Sequence, residues 1–392
     1  MIARAVYSVR QKGSARLTIA LDFLRSEIVI NREESLNELV GRLRHADWVA
    51  IDTEADSLHA YPEKLCLLQI SLPGADELVD PLARLDLKPL YEALGSREII
   101  LHGSDYDLRL LHRATGFVPQ SIFDTMIAAR LCGGLEFGLA SLVQKYLNLT
   151  LEKGSQKADW ARRPLTPRME EYARNDTRHL KALSDLLRAE LESRGRIEWL
   201  RETCARLVHE STTGRADDSA REKWRLSGSH QLNRRGLAIL KVIWTWREEI
   251  AIQLNRPPFF VLSHDSLIAL SDAASMSQPV EPLIPARFPH HRREGLLKAI
   301  ELGRKIHALD FPDIPRPEWR RVTESEKQRF KELKKKRDDV ASNLGLDATL
   351  IASKSDLMEL SRDAGAAPGL LMNWQSQLLF AQPTQPLQTQ NP

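Results

Sequence analysis

The chain has 392 residues. A single compact domain of ordinary size is usually shorter than this. Lysine and arginine total 56 and aspartate and glutamate 53, so the formal net charge is only +3, which excludes a uniformly basic binder of polyanions. The three cysteines, Cys66, Cys132 and Cys204, form no CxxC pair, which excludes a zinc ribbon or a disulfide framework. No run approaches the roughly 20 apolar residues of a membrane span. We therefore expect a cytoplasmic protein.

The first half of the chain predicts an α/β domain over residues 26–210, after an N-terminal extension at 1–25 that can be disordered. A β-type run at 27–30 precedes a helix that Asn31 or Ser35 could cap. Strand patterns then lie at 48–54, 65–71, 77–80 and 98–102, with a helix at 87–94. After the fourth strand only helical patterns follow, at 106–114, 125–131, 139–147 and 167–192. Early strands with helices between and after them predict a mixed sheet flanked by helices.

The second half of the chain predicts helices only. A polar linker at 211–224 leads to a helical domain at 225–310, and a proline-rich joint leads to a second one at 318–380. The tail at 381–392 is rich in proline, glutamine and threonine, which predicts disorder. Residues 316–337 contain ten Lys or Arg against four Glu, a bias that fits either phosphate contacts or a solvated helix face.

Two carboxylates in one strand are the first chemical signal. Asp52 and Glu54 are two residues apart, so their side chains lie on the same face of the strand. Carboxylates on a buried face are costly unless a cation neutralises them, whereas water serves on an exposed face. By itself the Asp-x-Glu pattern leaves both interpretations open.

Further carboxylates occur at two later points. Asp107 lies where the fourth strand gives way to a helix, with Asp105 as the better helix-cap candidate. Tyr172 and Asp176 are four residues apart on a helix and share a face, although a core tyrosine and a solvated aspartate would give the same pattern.

These signals together are more specific than any one of them. Four carboxylates can converge if the helix of Asp176 packs on the strand of Asp52. Mg²⁺ and Mn²⁺ prefer oxygen ligands, and two such ions can activate a water and stabilise the leaving oxygen of a phosphodiester. Tyr172 could then orient the attacking water.

The ordered motifs Asp-x-Glu, Gly-x-x-x-Asp-Leu and Tyr-x-x-x-Asp resemble those of the DEDDy 3′→5′ exonucleases, and the match to the ribonuclease D family is closer still. Residues 62–71, 123–125 and 159–165 are similar to the same pattern, and the resemblance covers about residues 27–205. It implies an RNase H-like fold, release of nucleoside 5′-monophosphates from RNA 3′ ends, and tRNA 3′ maturation. It also implies a catalytic set in which the four carboxylates hold two Mg²⁺ or Mn²⁺ ions and the phenol positions water. These catalytic residues are Asp52, Glu54, Asp107, Tyr172 and Asp176.

Seven further residues are weaker candidates for substrate binding. Family likeness places Leu68 and Gln69 in the walls of the nucleotide pocket, although the core interpretation holds for Leu68. His102 follows a strand near the predicted site. A polar, aromatic and basic stretch precedes the Tyr172 helix, where arginine could pair with phosphate and tryptophan could stack on a base, or where an ordinary surface loop could lie. Its candidates are Gln156, Trp160, Arg162 and Arg163.

Residues 244–251 and 255–258 resemble the HRDC domain, a small helical module that binds nucleic acid. Trp244 and Trp246 are expected in its core. The region 318–380 looks like a diverged second copy. RNA, specifically tRNA precursors with 3′ extensions, is the expected partner, and neither a membrane nor an obligate protein partner is implied. Two alternatives are a DNA 3′→5′ exonuclease of the same superfamily and a non-catalytic RNA-binding scaffold.

Overall fold

The computed structural model describes residues 29–152, 154–213, 222–314 and 322–380. Four predicted segments lie wholly or partly outside these ranges. They are the N-terminal extension at 1–25, the tail at 381–392, part of the linker at 211–224 and part of the basic stretch at 316–337. A five-stranded sheet has the order β3-β2-β1-β4-β5. Strands β1, β2 and β3 pair antiparallel, whereas β4 and β5 run parallel to β1, so the sheet is mixed. The strands are β1 (Val49–Ala55), β2 (Leu65–Leu72), β3 (Ala75–Val79), β4 (Glu98–Leu101) and β5 (Ser121–Asp124).

Eight helices flank this sheet in the described residues up to 213. They are α1 (Glu33–His45), α2 (Lys88–Gly95), α3 (Asp105–Thr115), α4 (Thr125–Leu131), α5 (Leu139–Leu147), α6 (Pro167–Arg178), α7 (Leu180–Ser193) and α8 (Ile197–Thr212). Helix α1 shows why the sequence folds this way, because Leu36, Leu39, Val40 and Leu43 recur at helical spacing and are all buried. The predicted α/β class is confirmed.

Several local predictions are corrected. Strand β5 was not predicted, because only two of its four residues are apolar, whereas the equally short β4 has three consecutive apolar residues. The single helix predicted at 167–192 is two helices that meet at His179. Both have a buried apolar face, so the periodic pattern continues across the break. The N-cap of α1 is Arg32, with no side-chain cap bond, and neither Asn31 nor Ser35 occupies that position.

The chain continues with two sets of helices. The first set packs around its own core, which includes Leu240, Ile243, Leu267 and Leu296. It consists of α9 (Arg234–Leu254), α10 (Pro258–Val261), α11 (His264–Ser275) and α12 (His290–Arg304). Trp244 and Trp246 are partly buried against this core, as expected. In the described part of the chain, no helix combines the length and the apolar character needed to cross a membrane.

The last set of helices shares the core of the α/β region. It consists of α13 (Glu324–Leu344), α14 (Ala348–Ile351), α15 (Lys354–Arg362), α16 (Ala367–Leu370) and α17 (Asn373–Phe380). Trp374 in α17 stacks on Trp199 in α8, with ring centroids 4.9 Å apart and planes 13° from parallel. Arg196 also donates to the carbonyl oxygen of Leu344 at 2.6 Å. These helices therefore pack directly onto the sheet-containing region.

Some cations of the basic stretch at 316–337 make contacts within the chain. Lys327 pairs with Glu324, and Lys334 pairs with Asp338. Arg337 is buried and donates to the carbonyl oxygen of Ala352. These three cations thus make contacts within the chain.

Candidate active site

The end of β1 carries the first two carboxylates, and the sheet leaves one side of that end open. Strand β4 pairs with β1 only at Val49 and Ala50, so the backbone beyond Ala50 has no strand partner on that side. The start of α3 fills this position. Asp107 accepts the Thr53 backbone N–H at 3.2 Å and also the Thr53 hydroxyl, both on Oδ1. The strand thereby fixes Asp107 beside its own carboxylates.

Helix α6 brings the remaining groups to the same place by packing on β1 and β2. One carboxylate oxygen from each of Asp52, Glu54 and Asp176 lies within 4.8 Å of the other two. Asp107 and Tyr172 line the same cleft, which has a volume of about 490 Å³. Asp52 and Glu54 on the strand, and Tyr172 and Asp176 on the helix, thus face the same cleft, as their spacing in the sequence predicts. The five predicted catalytic residues surround this cleft.

The crowded carboxylates repel one another in a poorly solvated setting. Burial, followed by repulsion from Asp107, Asp176 and Glu54, raises the pKa of Asp52 well above its usual range. Burial and neighbouring carboxylates raise the pKa of Glu54 to about 9, and burial raises that of Asp176 to about 7 and that of Asp107 to about 6. A bound cation would relieve this repulsion, and carboxylate oxygens are ligands that hard divalent ions prefer. The donor set therefore fits divalent metal ions.

Tyr172 keeps its proton in this environment. Burial, followed by the charges of Asp176 and Glu54, raises the pKa of its phenol. Of these charges, that of Asp176 acts most strongly on the phenol. The phenol is therefore a neutral hydrogen-bonding group at the edge of an anionic cluster.

Gln69 and Leu68 lie behind the site and do not line the cleft. Gln69 is fully buried, and its Nε2 donates to Asp52 Oδ2 at 3.4 Å. Leu68 is also fully buried, in the core under the sheet. The prediction of nucleotide-pocket walls at these residues is corrected: Gln69 contacts the site only through Asp52, and Leu68 is a core residue.

The stretch before α6 is mostly structural as well. Trp160 is only 1% exposed, so its ring has no face free for a base, and the stacking prediction is corrected. Arg163 forms two hydrogen bonds to the Asp80 carboxylate, each 2.6 Å long, and its charge is neutralised there and not by a phosphate. Arg162 is exposed but does not line the cleft, whereas Gln156 does.

His102 also lines the cleft, with Nδ1 2.8 Å from the Thr125 hydroxyl. Burial lowers its pKa, so it is neutral at physiological pH. Asp124 is a structural cap, because it accepts the backbone N–H groups of Met126 and Ile127 and that of Ser104. Asp105 lies in the first turn of α3, after Ser104 at the N-cap, and pairs with Arg109 on the surface. The choice of Asp107 over Asp105 thus agrees with their positions.

Sequence reasoning missed Thr53 and several residues that line the cleft. Thr53 lies between two carboxylates, and its bonds to Asp107 depend on where α3 packs. Ser57, Leu58 and Tyr106 also line the cleft, but nothing in their spacing distinguishes them from loop or helix-surface residues.

Comparison with known proteins identifies the family. A model described as 3′-5′ exonuclease matches residues 28–192, and the HRDC domain model matches residues 236–278. A ribonuclease D of Desulfotalea psychrophila is 30% identical over 344 residues, which are 86% of this chain and 91% of that protein. The chain belongs to the ribonuclease D family. A ribonuclease D of Zymomonas mobilis is 32% identical over 88% of this chain and 84% of its own length.

A solved structure supports this placement. The crystal structure of Escherichia coli RNase D, described as an exoribonuclease involved in structured RNA processing, has a TM-score of 0.68 and 26% identity, and the match covers 86% of this chain and 90% of that chain. The chain is accordingly a hydrolase of the ribonuclease D type, a 3′→5′ exoribonuclease whose sheet region precedes a helical HRDC region.

The carboxylate repulsion predicts how stability depends on pH in the absence of metal. Because the folded pKa values lie above the unfolded ones, the folded state binds more protons between about pH 4 and pH 9, and the free energy of unfolding falls as pH rises through this window. For Asp176 alone the rise to about 7 corresponds to at most about 4 kcal/mol, and to less because the site is partly solvated.

Thermal melts in EDTA at pH 6 and pH 8.5 check this expectation. The melting temperature should be lower at pH 8.5, and Mg²⁺ should restore it. Asp176→Asn should reduce both the pH effect and the Mg²⁺ effect. A melting temperature that is independent of pH and Mg²⁺ would show that repulsion among the four carboxylates does not destabilise the metal-free protein.

Proposed function

We propose that this chain removes nucleotides one at a time from RNA 3′ ends with two Mg²⁺ or Mn²⁺ ions held by Asp52, Glu54, Asp107 and Asp176. The observation that carries the proposal is the convergence of these carboxylates and Tyr172 in one cleft, from elements far apart in sequence. When bound, the ions would activate a water and stabilise charge on the leaving oxygen.

The residues of the chain have distinct parts in this proposal. Thr53 holds Asp107, and Gln69 supports Asp52, so both carboxylates are oriented before an ion binds. The Tyr172 phenol, which retains its proton, orients the attacking water through its oxygen. Gln156 and His102 line the cleft and are the candidates to contact the terminal nucleotide, and Arg162 is an exposed cation in the stretch before α6.

The same proposal assigns catalysis and RNA binding to different regions of the chain. Residues 26–210 hold the catalytic site, and the helical regions 225–310 and 318–380 contact the body of the RNA. Support comes from the HRDC match within the first helical region. A two-part arrangement fits a substrate with a folded body and a short single-stranded end, and we propose tRNA precursors with 3′ extensions as that substrate.

A trimming assay tests the choice of substrate. A folded tRNA transcript with a short 3′ tail, an unstructured RNA of equal length and the matched DNA are each incubated with the full chain and Mg²⁺. The expected result is trimming of the tail that stops near the acceptor stem, with DNA degraded far more slowly. Equal degradation of DNA and RNA would contradict the RNA preference. A tRNA tail that is left intact while unstructured RNA is degraded would contradict the tRNA assignment.

A further inference from the structure

Tyr172 is held by two neighbours that no catalytic motif includes. The backbone of Gly154 lies directly against its ring, and the buried indole of Trp160 packs beside it. We propose that Gly154 and Trp160 form a seat that fixes the position of the Tyr172 phenol, and that Gly154 is a positioning residue for the reaction. This inference rests on the proposed function of Tyr172.

The contact at Gly154 leaves no room for a side chain. A Cβ atom at Gly154 would lie 1.8 Å from Tyr172 Cδ2 and 2.7 Å from both Cγ and Cε2. These separations are far below van der Waals contact, and the atoms belong to a rigid ring that begins next to the α6 backbone. Even one methyl group would therefore move the ring or the loop. The reason for glycine here is the close approach of its backbone to the ring.

The contact at Trp160 is rigid. The two ring centroids are 6.1 Å apart, and Trp160 shares a buried apolar cluster with Cys66, Leu67, Leu78, Met169 and Ala173. Arg163 donates to the Trp160 carbonyl oxygen at 2.8 Å while its guanidinium is held by Asp80. Trp160 Nε1 has no hydrogen-bond partner among the described residues, so packing holds the indole in place. Because the indole is fixed, the Tyr172 ring has little room to move away from a side chain added at Gly154.

A small displacement of the phenol has a large kinetic effect. Its oxygen must lie within a fraction of an ångström of the position that orients the water, and a misplacement of about 1 Å costs roughly 10²-fold in rate. Two of the carboxylates depend on contacts elsewhere, because Thr53 holds Asp107 and Gln69 supports Asp52. Disturbing the seat should therefore lower kcat while metal binding and RNA binding stay close to normal.

The experiment compares Gly154→Ala, Tyr172→Phe and the double variant in the full chain, with single-stranded RNA at saturating Mg²⁺. We expect Tyr172→Phe to lower kcat by about 10²-fold and Gly154→Ala to lower it by about 10- to 100-fold with KM within about twofold. In the Tyr172→Phe background, Gly154→Ala should cause little further loss, because the two substitutions remove the same contribution. The shift in melting temperature caused by Mg²⁺ should match that of wild type in all three variants.

Gly41→Ala is the matched control, because a Cβ at Gly41 meets nothing within 4 Å. It should leave kcat unchanged. Trp160→Phe provides a second test of the seat if Gly154→Ala does not fold, and it should lower kcat in the wild-type background but not in the Tyr172→Phe background.

The possible outcomes separate this inference from the proposed function. If Tyr172→Phe lowers kcat but neither Gly154→Ala nor Trp160→Phe does, the seat is wrong and the proposed function stands. If either seat substitution causes the same loss with or without the Tyr172 hydroxyl, the seat is also overturned. If Tyr172→Phe leaves kcat unchanged, the role proposed for Tyr172 fails, and the seat fails with it.

Discussion

Replacing Asp52 with asparagine is expected to lower kcat by at least about 10³-fold, because a lost metal ligand removes several kcal/mol of transition-state stabilisation and each 1.36 kcal/mol is tenfold in rate. The other three carboxylates repel Asp52, since Asp107, Asp176 and Glu54 all raise its pKa. Asparagine has nearly the same shape and can still bond to Gln69, so the fold should be retained. RNA affinity should stay within about threefold, because a carboxylate does not itself attract phosphate.

The matched control for this substitution is Asp105→Asn. Asp105 also lies in the first turn of α3 and is acidic, but its side chain is 51% exposed and pairs with Arg109 outside the cleft. Its kcat should stay within about twofold of wild type, as expected for a surface pair. Steady-state kinetics with labelled RNA and a filter-binding titration measure both effects. If Asp52→Asn retained a tenth of the wild-type kcat, the metal-holding role of Asp52 would be contradicted.

Replacing Trp374 with alanine is expected to lower the free energy of unfolding by about 3 to 5 kcal/mol, the usual cost of deleting a large buried aromatic side chain. The indole is 4% exposed and stacks on Trp199 of α8. It joins a core cluster that extends from the sheet strands to α13, α14, α15 and α17. The loss should therefore destabilise the sheet region that carries the catalytic site, although Trp374 is remote in sequence from every predicted catalytic residue.

Chemical denaturation followed by far-UV circular dichroism measures this effect, and Phe380→Ala is the control. Phe380 ends the same helix but is 42% exposed, so its removal should change the free energy of unfolding by no more than about 0.5 kcal/mol. If Trp374→Ala unfolded at the same denaturant concentration as wild type, α17 would not be part of the shared core.

Local spacing explains why much of the site could be predicted. The two-residue interval of Asp52 and Glu54 and the four-residue interval of Tyr172 and Asp176 each define a shared face of a single element. These rules operate without tertiary structure. Spacing alone cannot predict that the two pairs and Asp107 lie in one site, and the resemblance of the ordered motifs to those of a known family led to that prediction.

The predictions that failed depend on tertiary packing. Trp160 and Arg163 look like a nucleic-acid contact in sequence, because their neighbours are polar and basic. Their actual partners, Tyr172 and Asp80, are brought to them by the way the chain before α6 folds over β2 and β3. Thr53 and Gly154 went unnoticed for the same reason, since each acts through a residue that is distant in sequence.

The same limit applies to the fold. Strand β5 was missed because Ser121–Asp124 contains only two apolar residues, although it completes the sheet beside β4. The packing of α17 on α8 could not be predicted either. Trp199 and Trp374 lie in helices far apart in sequence, and nothing in either sequence indicates which surface its indole meets.

The most direct test of the central claim follows a 5′-labelled single-stranded RNA during incubation with the full chain, in EDTA and across a titration of Mg²⁺ or Mn²⁺. The account predicts no cleavage in EDTA. With metal it predicts a ladder of products shortened one nucleotide at a time, and release of nucleoside 5′-monophosphates. Internal cuts, or degradation that persists without a divalent ion, would contradict a carboxylate-held metal site that hydrolyses RNA from its 3′ end.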